Sequence, residues 1–184
     1  MRHPFQSIKA SSRSRIFWFL LAAAVLLTVI MNWISQPLIT PAAPYGIVSF
    51  ELAGTAARSH LIIASWDKIA RLYAAFGLGL DYLYMVVYSF TIGLGCILAA
   101  EALYRGKFPL GSFGALLAWG LWLAALLDAL ENIALAVQLL EQGSSPWPLV
   151  ALVCASAKFS LIFLGLVYAF YGLAMHAAGR LTRR

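Results

Sequence analysis

Asp128, Glu131 and Asn132 stand at i, i+3 and i+4 within the run Leu126 to Ile133, a spacing that puts all three side chains on one helix face. The residues around them are apolar. Lys158 and Asp81 sit in two further apolar runs. Carboxyls held close to a lysine can keep a proton, a metal ion, or the ammonium or hydroxyl groups of a substrate. In catalysis, Asp128 or Glu131 would act as general acid or base while Lys158 stabilised developing negative charge.

An isolated charge at mid-membrane costs roughly 2.5–3.5 kcal/mol, so Asp128, Glu131 and Lys158 would together cost roughly 8–10 kcal/mol if each faced lipid. They must face inward and one another. What brings them together is set by the apolar runs that carry them.

Those runs dominate the composition: of 184 residues, 62% are hydrophobic and 11% charged, against about a quarter charged in soluble domains. This is the composition of an all-α integral membrane protein, a single domain over residues 1–184 with the lipid bilayer as its partner. The net charge of +6 gathers in short clusters between apolar runs, not along a groove-reading face, which argues against nucleic acid. Cys96 and Cys154 lie within apolar runs and behave as small hydrophobes, so neither a disulfide framework nor a CxxC metal site is present.

The N-terminal stretch holds Arg2, Lys9, Arg13 and Arg15 and runs into a first span, Ile16 to Ser35. Asn32, Trp33 and Ile34 follow the apolar core where a cleaved signal would place small residues, so this span is read as uncleaved. Pro37, Pro41 and Pro44 then mark a loop. Residues 46–54 alternate in part around Ser49, Phe50 and Glu51, compatible with a strand or an interfacial turn.

From Ser59, the residues Ile62, Trp66, Ile69, Tyr73 and Phe76 recur at helical spacing. They predict one amphipathic surface helix leading into the next span, anchored at the interface by Trp66 and Tyr73, with Asp67 and Arg71 as an i, i+4 pair. Further spans are read at Ala74 to Tyr104, Leu110 to Leu140 and Leu149 to His176. The connection Gln36 to Tyr73 precedes the second span. Glycine and proline in Arg105 to Pro109 separate the second from the third, and the polar turn Glu141 to Pro148 separates the third from the fourth.

The architecture expected is an antiparallel four-transmembrane-helix bundle with an extracytoplasmic amphipathic segment. Arg2, Lys9, Arg13, Arg15, Arg105, Lys107, Arg180, Arg183 and Arg184 fall on one side, against Arg58, Lys68 and Arg71 on the other. The positive-inside rule then places both termini in the cytoplasm of a plasma or bacterial inner membrane. In that topology Asp81 comes out about 10 Å below the outer end of its span, Asp128 and Glu131 about 18 and 14 Å below theirs, and Lys158 about 14 Å below its own.

Neighbours on each face fit convergence. Lys158 shares its face with Ala151, Cys154, Gly165 and Gly172, small residues that mark close helix approach, while Asp81 shares its face with Gly77, Tyr84, Tyr88 and Thr91. Asp81, Asp128 and Glu131 against Lys158 leave net −2 if all are ionised, so protonation or a bound cation is expected. Asp81, Tyr84, Tyr88, Asp128, Glu131, Asn132 and Lys158 are therefore the candidate binding residues for a ligand, ion or proton, with Glu51 at the entrance.

Three roles are open to such a cluster: a binding site in transport or lipid handling, an intramembrane enzyme acting on a lipid or isoprenoid, or a network that only fixes helix packing in a structural subunit. Metal binding lacks the histidines of zinc and di-iron sites, which leaves only a hard cation. No phosphate loop or cofactor fingerprint occurs. His60 with Ser59 and Asp67 lacks a nucleophile elbow, and Ser59 reads as a helix cap. Glu101 reads as a solvated helix end. Four spans are few to enclose a transport pathway, so a homo-oligomer or a membrane-complex partner is expected for that role.

Overall fold

A computed structural model describes residues 3–141 and 146–181. Arg2, Arg183, Arg184 and the middle of the turn before the last span lie outside the described residues. Helix dominates, and no strand occurs among the described residues. The elements are α1 (Ala10–Ser35), a 3-10 turn (Gln36–Leu38), α2 (Ile47–Glu51), α3 (Ala56–Ser65), α4 (Lys68–Gly106), α5 (Phe113–Glu141) and α6 (Trp147–Leu181). Four of these helices, α1, α4, α5 and α6, are long and apolar enough to cross a membrane, as in an integral membrane protein. At 1.5 Å per residue the 39 residues of α4 extend about 58 Å, well beyond the hydrocarbon thickness.

Of the two conformations open to the stretch after the proline loop, the strand does not occur: residues 47–51 form a short helical turn. So short a helix cannot hold itself; Phe50 is fully buried and meets the Trp66 ring edge-on at 5.3 Å. Gly46 and Gly54 flank it with φ of 57° and 70°, a left-handed backbone that glycine adopts without strain. A Cβ at Gly46 would come within 2.6 Å of Ser35 Oγ.

The expected single amphipathic helix is instead two, broken at Trp66 and Asp67. Trp66 caps the end of α3 with extended backbone. It is no interfacial anchor: it is 2% exposed and donates from Nε1 to Leu38 O at 2.9 Å. Asp67 does not pair with Arg71 but accepts from Ala70 N at 2.7 Å, capping the start of α4. Arg71 reaches back to Ile63 O and Trp66 O, tying the start of α4 to the end of α3. Thr55, not Ser59, caps α3, accepting from Arg58 N.

By its packing the chain falls into two compact units, Met1–Ala24 with Val87–Ala125 and Phe159–Arg184, and Val25–Val86 with Leu126–Lys158. In the first, Phe5 is buried among Leu94, Ile97 and Ala118, its ring filling the space beside Gly93, where a Cβ would lie 3.1 Å from it. Arg13 holds this arrangement by an ion pair to Glu101 and a bond to Ile8 O, so Glu101 is not a merely solvated helix end. Tyr168 Oη donates to Leu110 O at 3.0 Å. The turn after α4 is closed by Lys107 N to Tyr104 O and Phe108 N to Leu103 O. This is the Schellman pattern, with Lys107 at φ 55° in the place expected of a glycine.

In the second unit, Leu38, Ala43, Phe50, Ile62, Ile63 and Trp66 from the connection form one core with Ala70, Ala74 and Leu78 of α4, Ala134 and Leu135 of α5 and Ala151 of α6. The connection therefore packs onto helices rather than lying free.

Candidate functional site

Within this second unit, the i, i+3, i+4 face of α5 turns Asp128, Glu131 and Asn132 inward, at 2%, 0% and 3% exposure. Lys158 of α6 meets them. Its Nζ donates to Asp128 Oδ1 at 2.6 Å and stands 2.9 Å from Glu131 Oε2. Neither Glu131 oxygen accepts a directed hydrogen bond, so the second contact is electrostatic, and Oε1 has no hydrogen-bond partner among the described residues. Asn132 Nδ2 donates to Asp81 Oδ2 of α4 at 2.7 Å.

Glu51 enters from α2. Its Oε2 lies 4.0 Å from Lys158 Nζ, its side chain is 12% exposed, and it shares that ammonium with the Glu131 carboxyl. Burial pushes the Glu51 carboxyl above the ordinary carboxylate range, against the pull of the Lys158 ammonium, and Asp128 pushes it further. Sequence reasoning put Glu51 only at the entrance; it is a member of the cluster. The signal available was weak, one acid in a mostly apolar seven-residue stretch between two glycines.

Of the other candidates, Tyr84 belongs to the same unit, its Oη 3.1 Å from Thr28 Oγ1. Tyr88 is buried in the other unit. Gln138, about two turns further along the same face of α5, is also fully buried, and accepts from Ser59 Oγ at 2.8 Å while donating to Ala134 O. This closed polar pair is complete in itself and locks α3 onto α5.

Four carboxyls, Glu51, Asp81, Asp128 and Glu131, thus gather around one ammonium. Among the described residues no group of three or more His, Cys, Asp or Glu is arranged to hold a metal; the centre of the acids is taken by Lys158 itself. Ionised carboxylates accept and do not donate, and Lys158 and Asn132 donate N–H groups into the cluster. Comparison with family models, with curated proteins and with solved structures found no match.

Proposed function

We propose that this is a multi-pass membrane protein whose buried carboxylate–lysine cluster binds a small polar ligand, an ion or a proton in the course of transport or membrane-lipid handling. One observation carries the reading: Glu131 is fully buried, yet its Oε1 has no hydrogen-bond partner among the described residues. A network that only fixed helix packing would match every buried acceptor, since leaving one unmatched costs about 1–3 kcal/mol, and more when it is charged. An exchangeable donor removes that cost.

In this reading the four spans form an antiparallel bundle with both termini cytoplasmic, in a plasma or bacterial inner membrane. The connection carrying α2 and α3 lies on the outer side, over the end of the bundle nearer the cluster. The carboxyl-rich cluster favours ligands that bring N–H or O–H groups of their own.

The test uses the full chain in lipid nanodiscs, wild type beside the double replacement Asp128→Asn with Lys158→Met, which removes one charge of each sign. Binding of labelled ethanolamine, glycerol and sodium is measured together with proton uptake after a pH jump. At least one of these should exchange with the wild type and be lost in a double variant of unchanged helix content. Equal exchange by both chains would refute the reading.

A further inference from the structure

Resting on the binding reading above, we infer that the exchangeable ligand of the cluster is a proton, shared between the carboxyls of Glu51 and Glu131. The two carboxyls approach the same ammonium, Glu131 Oε2 at 2.9 Å and Glu51 Oε2 at 4.0 Å from Lys158 Nζ. Glu51 Oε2 and both Glu131 oxygens are buried without a directed hydrogen bond. Carboxylate oxygens only accept, so two ionised groups face to face cannot bond each other; one proton turns one of them into a donor and satisfies both. Like charges so close are also hard to keep ionised together away from water.

The surroundings limit alternatives. Glu131 is 0% exposed, which leaves a proton easier to accommodate than any solvated ion. The charged groups facing the pair are Asp128 on α5, Lys158 on α6 and, beyond them, Asp81 on α4. Lys158 is committed first to Asp128, at 2.6 Å. The single ammonium therefore balances one of the three carboxylates around it, Asp128, and the shared proton removes one of the two charges of the pair, leaving a single negative charge spread over the group.

Exchange needs no other reagent. The proton passes from the Glu131 carboxyl to the Glu51 carboxylate, leaving Glu131 ionised, and then from Glu51 to water. Glu51 is the member carried on the connection and not on a span, as the last residue of a five-residue helix that Gly46 opens. It is the group through which the proton reaches the aqueous side.

Infrared difference spectroscopy of the full chain in nanodiscs tests this through the C=O stretch of a protonated carboxyl. Wild type should show one such band at neutral pH that disappears on alkalinisation and shifts when all glutamates carry carbon-13. Glu51→Gln and Glu131→Gln should each abolish it, because the new amide donates to the remaining carboxylate, while Glu101→Gln, at the ion pair with Arg13, should keep it. The labelling arm needs no substitution, so a variant that fails to fold leaves the answer readable. No band in wild type, a band insensitive to glutamate labelling, or a band that survives either glutamine variant would overturn the shared proton. In those cases loss of ethanolamine, glycerol or sodium exchange in the Asp128→Asn, Lys158→Met chain would still uphold ligand binding by the cluster.

Discussion

Lys158 Nζ and Asp128 Oδ1 are 2.6 Å apart, and both side chains are almost closed to solvent, at 6% and 2% exposure. Breaking a buried pair from one side strands the other charge and costs about 3–5 kcal/mol, whereas removing both charges together is often near neutral. Lys158→Met alone should lower the melting temperature of the purified chain sharply, and adding Asp128→Asn should recover most of the loss. Thermal unfolding followed by circular dichroism checks this. A double variant as unstable as the single one would show that the pair does not act as a unit.

The ion pair of Arg13 with Glu101 should behave differently. Glu101 is one-third exposed, and pairs open to solvent contribute about 0–1 kcal/mol. Arg13→Gln should therefore shift the melting temperature much less than Lys158→Met, and the difference from wild type should shrink as salt is raised.

Glu51 gives stability a pH dependence of definite sign. Its carboxyl is held above the ordinary range in the folded chain, chiefly by burial, so the folded state favours the protonated form. The stability this contributes is complete below the ordinary glutamate value and is lost as pH rises through the folded value. Melting temperature measured against pH should fall across that window in wild type and fall less steeply in Glu51→Gln. A profile identical in both chains would contradict the placement of Glu51 in the cluster.

Two glycines of similar sequence setting should respond oppositely. A Cβ at Gly172 would lie 2.3 Å from Ala99 Cβ and 2.7 Å from Ala99 Cα, an approach that only backbone movement could relieve. Gly172→Val should cost about 1–3 kcal/mol by overpacking. At Gly79 nothing lies within 4 Å, and Gly79→Ala should be neutral or stabilise by up to about 1 kcal/mol through helix propensity. Paired thermal melts decide it.

The four apolar helices could be read from composition because lipid-soluble segments declare themselves by length and hydropathy. Asp128 and Glu131 at i and i+3, and their lysine, could be read because charge inside such segments must be sheltered. The break at Trp66 was hidden by an apolar period that runs on through it, although Asp67 three residues before Ala70 is a capping signal. Ser59 and Gln138 meet across 79 residues, and Arg13 and Glu101 across 88. Glu51 is drawn in by the packing of Phe50 against Trp66. Such meetings depend on tertiary packing, which no local spacing encodes.

The most direct measurement is an experimental map of the chain in a nanodisc, sharp enough to show ordered water, read at Glu131 Oε1. The expected result is a Glu51 carboxyl oxygen at hydrogen-bond distance from Glu131, or non-protein density donating to Oε1. A map in which protein N–H and O–H groups satisfy every oxygen of Glu51, Asp128 and Glu131, with no such density and no carboxyl–carboxyl contact, would contradict a binding role and leave the cluster as a fastening between helices.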